Sequence, residues 1–122
     1  MTSPTTILLT GGAGYIGSHT YVALVEAGYQ PLILDDFSNS DPEVLQRLQQ
    51  ITGREVLCQR GNARDRATLE ALLTQHQVQA VIHFAGFKAV GESVAQPLKY
   101  FENNLGSTIA LLQAMAATGC NK

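Results

Sequence analysis

The sequence predicts an α/β protein: a parallel sheet with helices on both faces, truncated after about four βα units. Two observations carry this. Short apolar runs alternate with longer stretches of helical periodicity, and glycine, proline, asparagine and aspartate punctuate the junctions. The first junction, Thr10 to Gly17 (TGGAGYIG), is rich in glycine where a strand hands over to a helix.

Thr6 to Thr10 is a β-branched and leucine run, the composition of a strand buried on both faces. Ile16, Thr20, Ala23, Leu24 and Ala27 then recur at helical spacing as far as Gly28. Gln30 to Leu34 forms the second strand and ends in Asp35-Asp36. Asp41 caps the next helix, with Pro42 in its first turn. Val44, Leu45, Leu48 and Ile51 supply its apolar face and Gly53 its end. Glu55 to Gln59 is the third strand, and Gly61-Asn62 turns into a helix from about Asp65, with Leu69, Leu72 and Leu73 on one side. Val78 to Phe84 is the fourth strand. From Glu92 to Ala117 the apolar residues Val94, Leu98, Phe101, Leu105, Ile109, Leu112 and Met115 keep helical register. Pro97 sets the start of the continuous helix, and Gly119 its end. Residues 1 to 5 are expected to be loosely ordered.

A chain of 122 residues is one domain, with a real core. Its net charge of −2 without a basic stripe argues against nucleic acid as a partner. The chain has no apolar run of membrane-spanning length, and MTSPTT lacks the basic start of a secretory signal. No membrane partner and a cytoplasmic location are therefore expected. Cys58 and Cys120 read as reduced thiols, and with His19, His76 and His83 they show no metal-ligand spacing.

The candidate chemistry lies at the strand ends. Gly11, Gly14 and Gly17 let the chain turn tightly, bring backbone close to an anion and present a helix N-terminus to it, as a pyrophosphate site requires. Asp35 follows about twenty residues on, where a Rossmann-type fold places a carboxylate for the adenosine ribose. That carboxylate would repel a 2′-phosphate, which favours NAD over NADP. Glycine turns also occur without a ligand, and Asp-Asp before Phe37-Ser38-Asn39-Ser40 is turn chemistry in its own right.

The stretch His83 to Ser93, HFAGFKAVGES, resembles the UDP-glucose 4-epimerases of the extended short-chain dehydrogenase/reductase superfamily. TGGAGYIGSHT at Thr10 to Thr20 and FENNLGSTIALLQAM at Phe101 to Met115 are similar to the same family, so the resemblance covers nearly the whole chain. It implies an NAD site in which Tyr15 and Ile16 cover the pyrophosphate and Asp35, Asp36, Phe37, Ser38, Asn39 and Ser40 hold the adenosine ribose. It further implies that Asn62 and Ala63 lie by the adenine. Phe84, Ala85, Gly86, Phe87 and Lys88 would line the strand-four side, with Asn103 reaching the cofactor from the long helix. Asn103 reads equally as a polar residue on a helix flank, and His83 as a core-edge histidine. Two positions depart from the family pattern: Asn62 stands where the family has Asp against the adenine amino group, and Asp36 where it commonly has Asn. Asn62 keeps a carbonyl acceptor but loses charge assistance.

The family's reaction takes a hydride from sugar carbon four onto NAD and returns it to the other face, with a tyrosine base and a lysine four residues on. Tyr15, Tyr21, Tyr29 and Tyr100 are followed at that spacing by His19, Val25, Ile33 and Asn104, so none fits. The chain is therefore expected to be the N-terminal NAD-binding portion, residues 1–122, lacking the catalytic segment and the substrate domain, and inactive alone. UDP-sugar would bind only in the complete enzyme. Ending after strand four leaves an exposed sheet edge, which predicts self-association, and the resemblance implies dimerisation through the long helix. Other readings keep the fold but change the role: the cofactor part of another nucleotide-sugar epimerase or dehydratase, a stand-alone NAD-binding module, or a fragment that binds nothing.

Overall fold

The computed structural model describes residues 4–37, 40–84 and 97–122, with the side chains of 97 and 99–103 left out. Strands β1 (Thr6–Thr10), β2 (Gln30–Asp35), β3 (Cys58–Arg60) and β4 (Ala80–His83) alternate with helices α1 (Tyr15–Glu26), α2 (Glu43–Thr52), α3 (Arg66–Gln75) and α4 (Pro97–Thr118). All strand pairs are parallel, in the order β3-β2-β1-β4. The chain thus builds outward from β1 on one side and then returns to the other. That reversal opens a crevice between β1 and β4 at their carboxyl ends.

β1 and β2 carry unbroken apolar runs because both of their faces are covered. Leu8, Leu32 and Leu34 point into a core with Leu69, Leu72, Leu73, Ala110, Leu111 and Ala114 of α3 and α4. Their neighbours Ile7, Leu9 and Ile33 point the other way, into a core with Tyr21 of α1 and Leu48 of α2. Strand period two therefore sorts one continuous apolar run into two cores.

Local chemistry ends the helices as the sequence suggests. Asp41 accepts the Glu43 N–H at 2.9 Å, and Asp65 accepts those of Ala67 and Thr68. Gly53 and Gly119 take the left-handed conformation at φ +70° and +79°.

Four expectations shift. β3 is Cys58–Arg60 rather than Glu55 to Gln59, because the pairing of Ile33 with Cys58 and Asp35 with Arg60 sets its register. In α1 the buried residues are Gly17 and Tyr21, one position from the expected stripe, and Ile16 stands exposed. Ile51 of α2 is likewise exposed. In α4, Leu98, Leu105, Ile109 and Leu112 face outward, and the buried face is Ser107, Ala110, Leu111 and Ala114. Leu111 is the large apolar side chain of that face, and Met115 packs against the same core. Val94 lies outside the described residues, as does the side chain of Phe101.

β4 ends the strand order on its side, among the described residues. The Val81 N–H donates to the Lys122 carbonyl at 2.9 Å, so the last residue runs beside it.

Candidate functional site

The turn after β1 is built on backbone. Gly11 sits at φ +69°, a conformation that side chains strain, and its N–H donates to the Leu34 carbonyl at 2.7 Å. The Gly14 N–H returns to the Gly11 carbonyl at 3.2 Å. Gly14 is the extended N-cap of α1 and has no side chain to cap it. The Ser18 N–H, on the Gly14 carbonyl at 2.8 Å, is the first intrahelical donor. The Tyr15, Ile16 and Gly17 N–H groups thus form the open, positive end of the helix. Gly17 is required for close approach: a Cβ there would lie 2.7 Å from the Gly12 Cα and 2.8 Å from the Gly11 carbonyl oxygen. Tyr15 and Ile16 flank this end and are 80% and 55% exposed.

Asp35 stands at the tip of β2, beside the turn. Its Oδ2 accepts the Ala13 N–H at 3.1 Å, while Oδ1 accepts the Phe37 N–H at 2.8 Å and the Ser40 hydroxyl at 3.4 Å. These bonds fix the carboxylate and leave acceptor capacity on it, since a carboxylate carries about four lone-pair sites. Phe37 takes φ +60°, and the Arg60 guanidinium lies 5.6 Å from its ring centroid. Asp36 is exposed.

At the carboxyl end of β3, the Gly61 N–H donates to the Asp35 carbonyl at 3.0 Å. Asn62 follows, exposed, with its Oδ1 accepting the Arg64 N–H at 2.8 Å. Ala63 packs its side chain into the core. Beneath the site, burial pushes the Cys58 thiol up to about 11, helped by the negative charge of Asp35.

β1 and β4 are joined at their ends by His83. Its Nδ1 lies 2.5 Å from the Thr10 hydroxyl, and its Nε2 lies 3.4 Å from Ser107 Oγ and 3.5 Å from Thr108 Oγ1 on α4. Both of those hydroxyls donate to the Asn104 carbonyl. One imidazole thereby links β1, β4 and α4. The Phe84 N–H donates to the Thr10 carbonyl at 2.8 Å.

Gly11, Gly14, Tyr15, Ile16, Gly17, Asp35, Asp36, Phe37, Ser40, Asn62, Ala63 and Phe84 thus gather along the carboxyl ends of the strands. Ser38, Asn39, Ala85, Gly86, Phe87 and Lys88 lie outside the described residues, as does the side chain of Asn103. Sequence reasoning missed the Ala13 amide and the Thr10–His83–Ser107 cluster. Backbone donors leave no mark in a sequence, and the three cluster residues come from separate elements. The doubled glycine at Gly11-Gly12 was the one pointer to the first.

A parallel sheet that reverses its order between β1 and β4, with a glycine turn heading a helix and an acid at the tip of β2, defines a Rossmann-type unit of the dinucleotide-binding kind. A protein-family model described as GDP-mannose 4,6 dehydratase matches residues 8–122, and the chain belongs to that family, within the extended short-chain dehydrogenase/reductases. The chain is 50% identical over 117 residues to the UDP-glucose 4-epimerase of Neisseria gonorrhoeae, covering 96% of this chain and 35% of that protein. Among solved structures it is similar to the UDP-glucose 4-epimerase of Stenotrophomonas maltophila with bound NAD and formylated UDP-arabinopyranose, with a TM-score of 0.93, 44% identity, and coverage of 96% of this chain and 35% of that one. The Bifidobacterium longum enzyme in complex with NAD+ and UDP gives 0.92 and 46%, covering 95% and 35%. The chain spans about a third of the length of these relatives.

Proposed function

We propose that this chain is the NAD-binding part of a UDP-glucose/UDP-galactose 4-epimerase. The observation that carries the reading is Asp35. Its carboxylate is tied to the glycine turn through Ala13 and to its own loop through Phe37, beside an open helix end. A dinucleotide fits this arrangement. Its pyrophosphate meets the N–H groups at the head of α1, and its adenosine ribose meets the remaining lone pairs of Asp35. The fixed negative charge disfavours a 2′-phosphate, so the cofactor is NAD rather than NADP.

In the complete enzyme NAD supplies the hydride acceptor for the sugar carbon. The residues of this chain bind and orient it: Gly11, Gly14 and Gly17 admit the pyrophosphate, Asp35 fixes the ribose, and Phe84 stands at the end of β4. The tyrosine-lysine pair that moves the hydroxyl proton has no match at the family's spacing in this sequence, so the chain alone does not turn over UDP-sugars. The identity of the sugar nucleotide rests on relatives about 50% identical being UDP-glucose 4-epimerases, whereas the matching family model carries a dehydratase description. We assign a cytoplasmic location, consistent with two free thiols among the described residues and no helix of them long and apolar enough to cross a membrane. Copies associate through the outward row Leu105, Ile109 and Leu112 of α4, or through β4.

Backbone amide NMR tests the site. Adding NAD is expected to shift the signals of Gly11, Ala13, Tyr15, Ile16 and Phe37 and leave the far ends of the strands unchanged. Shifts confined to other surfaces, or none at millimolar NAD, would reject the reading.

A further inference from the structure

Three arginines, Arg60, Arg64 and Arg66, crowd the carboxyl end of β3. The fold sends them different ways. Arg66 pairs with Glu70, one turn along α3, at 2.6 Å. The Arg64 guanidinium packs against α4: its Nε lies 3.0 Å from where a Cβ on Gly106 would stand. Arg60 is the register partner of Asp35 in the parallel pairing of β2 with β3, so the two side chains leave the sheet on the same face. Two residues back on that face, the register partners Ile33 and Cys58 pack together in the core beneath α1 and α2. Arg60 makes no ion pair with a described residue. Its guanidinium lies 5.6 Å from the centroid of the Phe37 ring, and Phe37 is the residue whose N–H donates to Asp35 Oδ1. A cation is thus held on the loop that Asp35 orders, beside the carboxylate and unpaired with it.

A 2′-phosphate on the ribose carries about two negative charges at neutral pH. Asp35 repels them, and Asp36, exposed beside it, adds to the repulsion. The guanidinium of Arg60 acts in the opposite sense, and its planar fork suits phosphate oxygens. The uncharged 2′-hydroxyl of NAD draws little on either effect. We propose that Arg60 is a specificity-determining residue: it offsets the Asp35 charge toward a 2′-phosphate, so that NADP binds measurably, though more weakly than NAD. The proposal rests on the NAD reading of the site.

The test measures the dissociation constants of NAD and NADP by calorimetry for the unaltered chain, Arg60→Gln and Arg64→Gln. Both side chains are exposed, so circular dichroism should be unchanged. In Arg60→Gln the ratio of the NADP to the NAD constant is expected to rise about threefold to tenfold, the range from an exposed to a well-placed charged contact, with the NAD constant nearly unchanged. Arg64→Gln removes the same charge from the other face of the sheet and should leave the ratio as it was. Salt gives a second readout. In Arg60→Gln the ratio should fall as ionic strength rises, because only repulsion is left to screen, whereas in the unaltered chain the opposed charges keep it nearly constant. NAD binding with a ratio unchanged in Arg60→Gln, or raised equally in Arg64→Gln, would overturn the proposal and leave the NAD reading intact. So would NAD binding by an unaltered chain that takes no NADP at millimolar concentration. Failure of the unaltered chain to bind either dinucleotide would overturn both.

Discussion

The backbone N–H of Ala13 donates to Oδ2 of Asp35 across 3.1 Å, joining the glycine turn after β1 to the tip of β2. A single carboxylate thereby ties the turn at the head of α1 to the tip of β2, where the proposed ribose contact is made. Removing its charge should act on loop order and on cofactor choice together.

Asp35→Asn is expected to weaken NAD binding about tenfold or more, the scale of one charged hydrogen bond, and to narrow the preference for NAD over NADP. Titration of both dinucleotides checks this. An unchanged preference would remove Asp35 from the ribose site.

Gly17→Ala places a methyl group 2.7 Å from the Gly12 Cα and 2.8 Å from the Gly11 carbonyl oxygen. Backbone cannot rotate aside as a side chain can. The variant should lose about 1–3 kcal/mol in urea unfolding, with the slope unchanged. A loss below about 0.5 kcal/mol would show that the turn yields.

The Cys58 thiol titrates near 11 in the fold against an ordinary value of 9.0. The folded state therefore holds its proton when the unfolded chain releases it. The resulting stability is full below about pH 9 and lost as pH rises toward 11. At pH 8 iodoacetamide should alkylate Cys58 far more slowly in the folded chain than in urea. Equal rates would contradict its burial.

Leu105, Ile109 and Leu112 lie on α4 at helical spacing and stand 44%, 46% and 59% exposed. Leu112→Glu should shift sedimentation toward monomer with a stability change within about 0.5 kcal/mol. Self-association unchanged by this variant would direct attention to β4 instead.

The features set by local chemistry were legible in the sequence. Thr6 to Thr10 read as a doubly buried strand because only buried strands are apolar without alternation. Asp65 and Gly53 marked helix ends for stereochemical reasons. Asp35 stood out by its distance from the glycines. Features decided by packing were not legible. The face that α4 buries is Ser107, Ala110, Leu111 and Ala114, packed with α3, and not the row Leu105, Ile109 and Leu112. The register of β3 was set by Ile33 and Asp35 across the sheet, not by its own composition. The role of His83 in joining β1, β4 and α4 depends on three contacts distant in sequence.

The central claim is that the glycine turn and Asp35 form a working half-site for NAD, and calorimetric titration of the chain with NAD, with NADP in parallel, tests it most directly. The account predicts saturable binding of NAD with NADP at least about tenfold weaker, the scale of one charged contact. A folded chain that binds neither, or binds NADP as tightly as NAD, would contradict it.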